Sequence, residues 1–302
     1  MARICRKRGM TALLAMVVAL AAGVARAADW PEVSQGRNLA PGVTVHEVTL
    51  ERSGVPMRVW LYLPTNAPAN KKLPTVLIGP AGSRLWHGES LGDGDRAEHQ
   101  PYVREGFAVL AYDIDGPLAQ QPTVAQETEA IVAFRNANAG VANAKLAVDY
   151  ALAKVPQVDP QRIYAVGHSS AATLALQVAE QDERVAASVA FAPVVRVGDR
   201  LASVATALDQ RRPGTMDFLR QTSPDANMAR LKAPTLLFYA ADDDVVPTQD
   251  IAAFAEELRK TNPKVKVVTA QSGGHYGSMI KQGIPAAIAW LQVTPAARAG
   301  NR

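Results

Sequence analysis

A serine attacks an acyl carbon only when something takes its proton and something holds it clear of the chain around it. Gly167-His168-Ser169-Ser170-Ala171 follows the apolar run Arg162-Ile163-Tyr164-Ala165-Val166 and precedes the small-residue stretch Ala172-Thr173-Leu174-Ala175-Leu176. Strand, sharp turn and helix in that order set Ser169 at the apex of a strained reversal, its hydroxyl exposed above a sheet. Gly167 has no Cβ to collide with the turn, and Ala171 brings the smallest side chain to the place where this pattern usually has a second glycine. The same geometry aims the Ser170 N–H and the start of the following helix at an oxyanion formed beside Ser169.

The proton acceptor and its partner are sought downstream. Ala233-Pro234-Thr235-Leu236-Leu237-Phe238-Tyr239-Ala240-Ala241 reads as a buried strand that runs into the acidic turn Asp242-Asp243-Asp244-Val245-Val246-Pro247. Val265-Lys266-Val267-Val268-Thr269-Ala270 reads as another strand, ending in Gln271-Ser272-Gly273-Gly274-His275-Tyr276-Gly277. A serine, an acid and a histidine therefore each follow a strand, in the chain order Ser, Asp, His. In such a set His275 takes the proton of Ser169 and returns it to the leaving group, while the acid orients the imidazole. Taken alone, His275 in its glycine-rich loop would read as a solvated loop residue.

Four further stretches carry a family resemblance: Val55 to Pro64, Gly106 to Asp113, Val158 to Ile163 followed by the serine turn, and Pro234 to Pro247. From about Val43 to Gln292 the chain resembles the α/β-hydrolases, in the style of the dienelactone hydrolase and prolyl oligopeptidase catalytic-domain group. The resemblance implies an α/β-hydrolase fold and selects Asp243 as the acid, because the family's aspartate lies four residues before the proline matched by Pro247. It implies neither metal nor organic cofactor. Three departures stand out. Gly79-Pro80-Ala81-Gly82-Ser83 replaces the family's His-Gly before the oxyanion loop, Tyr239-Ala240 replaces the His-Gly before the acid turn, and Ser169 stands where many members have cysteine. Pro80 has no N–H, so Ala81 is the expected second oxyanion donor beside Ser170, with Gly82 behind it. Gly82, Arg84, Trp86 and Tyr276 are the expected substrate-lining residues, and His87 could join them.

The elements that must position these residues are legible in outline. Val43 to Leu50 and Met57 to Leu63 alternate apolar and polar residues around Ser53-Gly54, which predicts an antiparallel hairpin near the N-terminus. From Thr75 to Ile78 onward the strands become continuous apolar runs separated by helical stretches, which predicts an α/β fold with a mostly parallel central sheet and helices on both faces. Helices are expected over Gln126 to Ala137, Ala142 to Val155, Ala171 to Gln181, Ile251 to Asn262 and Ile284 to Leu291. Residues 28–42 read as an irregular lead-in and 293–302 as a frayed tail. Residues 194–232, between the strand Val185-Phe191 and the strand before the acid, hold short helical pieces near Leu201 to Leu208 and Met216 to Leu219. They predict a small cap-like insertion in a single domain spanning 28–302.

Residues 1–27 read as a secretory signal: Arg3, Arg6, Lys7 and Arg8, the apolar stretch Thr11 to Val24, then Ala25-Arg26-Ala27 as a cleavage site. The expected location is periplasmic or secreted. The precursor has 32 basic and 28 acidic side chains; removing the five basic residues of 1–27 leaves 27 against 28, a net charge of −1. Nothing in that balance argues for nucleic acid or for a membrane surface after signal removal. The one cysteine, Cys5, leaves with the signal, so neither a disulfide nor a thiolate metal site is expected.

Two other strings invite stronger readings than they support. Gly92-Asp93-Gly94-Asp95-Arg96-Ala97 mimics a dinucleotide fingerprint but follows no strand, and reads as a polar loop. Asp113-Ile114-Asp115-Gly116 offers two calcium-type ligands only and reads as a strand-end turn. His168 reads as a packed neighbour of the serine, and His46 and His99 join no constellation. The expected activity is a secreted serine hydrolase, carboxylesterase or lactonase, acting on small-molecule esters of short acyl groups. A serine exopeptidase of the prolyl oligopeptidase type and a non-catalytic binding protein of the same fold are the alternatives.

Overall fold

The central strands read as unbroken apolar runs because both of their faces are covered. The computed structural model describes residues 30–296; the expected signal 1–27 and Cys5 lie outside them. Among the described residues one sheet runs through β1 (Arg37–Ala40), β2 (Val43–Arg52), β3 (Val55–Pro64), β4 (Leu73–Ile78), β5 (Ala108–Tyr112), β6 (Val158–His168), β7 (Val185–Phe191), β8 (Thr235–Ala240) and β9 (Val265–Ala270), in the spatial order β1-β2-β3-β5-β4-β6-β7-β8-β9. β1, β2, β3 and β5 pair antiparallel, and every pairing from β5 to β9 is parallel. This is the mostly parallel sheet with an N-terminal hairpin that the pattern of runs predicts, in the α/β-hydrolase arrangement that the resemblance implies.

The hairpin follows from its sequence residue by residue. β2 and β3 stay in register from Val43 opposite Pro64 to Arg52 opposite Val55. Ser53 and Gly54 close the hairpin with φ of 52° and 82°, the pair of left-handed residues whose twist matches that of the flanking strands.

The helices are α1 (Arg96–Arg104), α2 (Val124–Asn136), α3 (Val141–Lys154), α4 (Ser170–Gln181), the short α5 (Val197–Arg200), α6 (Ala205–Arg211), α7 (Thr215–Thr222) and α8 (Pro224–Asn227), then α9 (Thr248–Arg259) and α10 (Ile284–Val293). On one face Leu73, Leu77, Leu110, Ile163, Ala165 and Leu237 pack with side chains of α2, α3, α4 and α9. On the other, Val76, Ile78, Val109, Tyr164, Val166 and Phe238 pack with Tyr102 and Val103 of α1 and with Ile284, Ala287, Ile288 and Leu291 of α10. Alternate residues of one strand thus supply opposite layers.

Two expectations need correction. The lead-in is not wholly irregular, because Arg37–Ala40 adds a strand to the edge of the hairpin. Gly92–Ala97 is not simply a polar loop: Asp93–Asp95 forms a 3-10 turn that runs straight into α1. The Asp113–Gly116 turn is occupied structurally, with Asp113 bound to Arg58 and to the Leu91 N–H, and Asp115 to Arg52 and Asn143. Residues 194–232 fold into α5 to α8 with two 3-10 turns, Ala202–Val204 and Met228–Arg230.

β4 leads to β5 on one side and is flanked by β6 on the other, so the chain changes direction across the sheet between them. A crevice opens at the carboxyl ends of the strands at such a point. The loop after β4 and the turn after β6 both enter it.

Candidate active site

The serine turn is as sharp as its residue types predict. Ser169 has φ 55° and ψ −120°, a conformation that a side-chain-bearing residue adopts only when its surroundings force it. One of those forces is the sheet itself, since the Ser169 N–H donates to the Phe191 carbonyl at the end of β7 (2.9 Å). Another is close packing across the turn: a Cβ on Gly167 would lie 2.1 Å from the Ala171 carbonyl oxygen. Only glycine fits there. Ser170 begins α4, so its N–H belongs to the first turn and has no partner within the helix.

The structure brings His275 and Asp243 together. The His275 Nδ1–H donates to Asp243 Oδ2 over 2.8 Å, which leaves Nε2 as the basic nitrogen. The Asp243 side chain is fully buried, and its other oxygen accepts from the N–H groups of Val245 and Val246 at 2.9 and 3.0 Å. Burial opposes ionisation of Asp243, but the hydrogen bonds from Val246, His275 and Val245 outweigh it and hold the carboxyl below the usual carboxylate range. Ser169 and His275 line one cleft without a hydrogen bond between their side chains among the described contacts. Such a bond commonly tightens only when substrate is bound.

Asp242, beside the acid, has its own function in the turn. Its carboxylate accepts from the N–H groups of Gly273 and Gly274 at 3.0 and 2.9 Å, and so fixes the loop that presents His275. Those two hydrogen bonds, from Gly274 and Gly273, also hold Asp242 below the usual carboxylate range. Three consecutive aspartates in the sequence conceal this division, because nothing in the string says which points at the ring and which at the loop.

The loop after β4 is braced from within. The Gly82 N–H donates to Ser170 Oγ at 3.1 Å, whereas the Ala81 N–H has no partner among the described residues. Among the described residues the N–H groups of Ala81 and Ser170 thus have no partner in the cleft that also holds Ser169, whereas Gly82 is already engaged. Ser83 Oγ donates to the His87 carbonyl and accepts from the Leu85 N–H, while His87 Nε2 accepts from the Arg84 N–H (3.1 Å). His87 is thus a buried brace. Trp86 also departs from expectation: it is 6% exposed, packs edge-on to His87 in the core, and does not reach the cleft. Large apolar side chains on a loop read as lining when nothing shows that the loop folds them inward.

The cleft, about 820 Å³, is bordered by Ala81, Gly82, Arg84, Ser169, His275 and Tyr276, all singled out by the sequence. Arg200, Leu201 and Val204 of the 194–232 segment border it as well, as do Asp95 and Glu98 at the start of α1. His168 is buried under His275, its ring centroid 4.5 Å from that ring and its Nε2–H donating to the His275 carbonyl at 3.2 Å. Burial, helped by the charge of His275, pulls His168 down to about 4, so it is neutral near pH 7. Burial also pushes Glu98 up to about 8, with the charge of Asp95 adding to it.

A strained serine turn, two N–H groups without partners and a hydrogen-bonded imidazole–carboxylate pair are the parts that acyl transfer requires. No group of side chains suited to hold a metal ion occurs among the described residues, and no helix among them is long and apolar enough to cross a membrane.

The family model described as the dienelactone hydrolase family matches residues 58–276, which contain every element of this cleft from the loop after β4 to Tyr276. No curated protein matches the chain. Among solved structures, the fold is similar to that of an acetyl xylan esterase from Paenibacillus sp. R4 (TM-score 0.65, 17% identity, covering 87% of this chain and 88% of that one). It is similar also to esterase Est2 of Thermogutta terrifontis, solved with butyrate bound (TM-score 0.60, 19% identity, covering 86% and 97%). An acylaminoacyl peptidase of Pyrococcus horikoshii gives a TM-score of 0.68 at 14% identity, but the match spans only 43% of that chain against 86% of this one.

Proposed function

The chain belongs to the dienelactone hydrolase family, and we propose that it hydrolyses esters of short acyl groups, as a carboxylesterase or lactonase, through Ser169, His275 and Asp243. The observation that carries this reading is the His275–Asp243 hydrogen bond, set in one cleft with a strained Ser169 at the sheet's switch point. His275 Nε2 takes the Ser169 proton as Oγ attacks the acyl carbon, and Asp243 stabilises the imidazolium that results. The N–H groups of Ser170 and Ala81 hold the oxyanion, each worth about 3–4 kcal/mol in the transition state. His275 then protonates the leaving alcohol, and water repeats the attack on the acyl-serine with His275 again as base.

The shape and charge of the cleft support this substrate class. Arg84 and Arg200 stand on its rim, exposed and without an acidic partner among the described residues, so the rim is too polar to cover a long acyl chain. Among the described residues Arg200, Leu201 and Val204 of the 194–232 segment border the cleft beside the loops that carry the site, an arrangement that admits a small ester openly and grips a peptide poorly. Export, with removal of residues 1–27, is part of the same proposal, and the mass of the protein recovered from the periplasm or medium checks it. The function is tested by kcat/KM on acetyl, butyryl and palmitoyl p-nitrophenyl esters beside a prolyl p-nitroanilide. Acetyl or butyryl ester is expected to lead; a leading prolyl amide would make the protein a peptidase.

A further inference from the structure

The leaving oxygen of an ester must come within reach of His275 Nε2, so the alcohol part of the substrate lies over the residues that flank His275. Next to His275 lie Tyr276 and His168, the latter's ring tilted against that of His275 at 4.5 Å between centroids and 5.7 Å from the Tyr276 ring; Glu98, in the same cleft, follows behind His168, its Oε1 3.7 Å from His168 Nδ1. The acyl part then falls toward the loop after β4. We propose that Glu98 is a specificity-determining residue that hydrogen-bonds a hydroxyl of the alcohol part, so that the preferred substrates are short acyl esters of polyols such as sugars. This rests on the ester-hydrolase reading of the same cleft.

Glu98 is 8% exposed, and what it exposes borders the cleft. Its carboxyl has no hydrogen bond among the described residues, since 3.7 Å to His168 is beyond hydrogen-bonding distance. Glu98 is not sealed from solvent as Glu180 is, so its carboxyl stays reachable from the cleft and a hydroxyl of the substrate can take the place of water on it. With its pKa raised to about 8 by burial, Glu98 is protonated near neutral pH and presents one donor and one acceptor. That pair complements a hydroxyl, which also donates and accepts; it does not complement an ammonium group, which only donates, or a carboxylate, which only accepts.

Two neighbours point the same way. Tyr276 is 47% exposed beside the catalytic histidine and offers a flat apolar face to the C–H face of a ring. Asp95, one turn before Glu98, borders the cleft as well; one of its carboxylate oxygens accepts from the Gly92 N–H at 2.7 Å, which leaves further acceptor capacity for a second hydroxyl.

The test is the ratio of kcat/KM for 6-O-acetylglucose to that for cyclohexylmethyl acetate, which presents the same ester on a ring without hydroxyls. The wild-type ratio is expected above about 10, a factor that one hydrogen bond to a buried polar group supplies. Glu98→Leu should lower the ratio about ten-fold, and Glu98→Gln should keep most of it, because the amide retains a donor and an acceptor. Tyr276→Ala, at an exposed position that does not endanger folding, should lower it as well. A wild-type ratio near 1 would overturn the proposal. So would a Glu98→Leu protein that slows both esters by the same factor, which would mean that Glu98 acts only by supporting His168. p-Nitrophenyl acetate separates the two levels: if the wild type cleaves it while the ratio is near 1, only the specificity claim falls. If the wild type cleaves no ester at all, the ester-hydrolase reading falls and this proposal with it.

Discussion

The groove at the amino ends of β7, β8 and β9 measures about 1050 Å³ and is bordered by Glu180, Asp182, Arg230, Lys232, Lys264 and Trp290. The cleft at the carboxyl ends is smaller, about 820 Å³. Leu85 and Ser169 of the smaller cleft hold positive φ (72° and 55°), and no residue bordering the larger groove does so. Each rim also buries a glutamate. Glu98 keeps a small exposed part in its cleft, whereas both oxygens of Glu180 are sealed off and have no hydrogen-bond partner among the described residues. On the proposed function, volume does not mark the reactive place in this molecule; strain held by surrounding hydrogen bonds does, together with a buried acid that a ligand can still reach.

The sharpest way to break that contrast is to remove the proposed nucleophile. Ser169→Ala should lower kcat by about 10⁵-fold or more while thermal unfolding stays within a few degrees of the wild type. Ser170→Ala should keep most of the activity, since its backbone N–H remains. Comparable losses in the two variants would put the nucleophile in the wrong place.

The next effect separates neighbours within the carboxyl rim. Asp243→Asn should cost about 10³–10⁴-fold in kcat, because an amide presents the wrong partner to the His275 ring. Asp242→Asn should cost about ten-fold, since it loosens the Gly273–Gly274 loop while leaving the imidazole paired. Asp244→Asn should change little. Steady-state kinetics on one short-chain ester orders all three, and a crippled Asp244→Asn would move the acid turn by one residue.

The smallest effect lies at the amino rim and is one of stability. Burial pushes Glu180 up to about 9, only partly relieved by Arg230. The folded protein thus holds a proton that the unfolded chain releases above about pH 4.5, and stability is lost as pH rises from there toward 9. Glu180→Gln removes that loss, so it should stabilise by about 2 kcal/mol at pH 7 and by less than about 1 kcal/mol at pH 5. Urea unfolding at the two pH values reads the difference, and esterase activity should not follow it. The same change in stability at both pH values would mean that Glu180 does not hold its proton through this range in the folded protein.

What the sequence made legible follows from where its patterns are redundant. Gly167, Ser169 and the runs on either side specify the turn three times over, through conformation, packing and hydrophobic period. The hairpin is equally plain, because the alternation over Val43 to Leu50 and Met57 to Leu63 agrees with Ser53-Gly54 between them. Helix α1 was hidden. Its buried face includes Glu98 and His99 as well as Tyr102 and Val103, and Pro101 sits inside it, so no apolar period appears. β1 was hidden for a related reason, being four partly exposed residues at a sheet edge. Trp86 misled in the opposite direction, since an aromatic near the oxyanion loop reads as a pocket wall until the Ser83–His87 brace turns it inward. Asp242 and Glu98 act on groups far away in sequence, and local pattern does not record such partners.

The claim on which the rest depends is that Ser169 is an activated nucleophile. Labelling the folded protein with a fluorophosphonate, followed by peptide mass spectrometry, tests it most directly. The expected result is one adduct, on the peptide containing Ser169, that forms on the intact protein and is absent from both Ser169→Ala and acid-unfolded protein. An unlabelled Ser169 in folded protein, or an adduct that persists in Ser169→Ala, would contradict it.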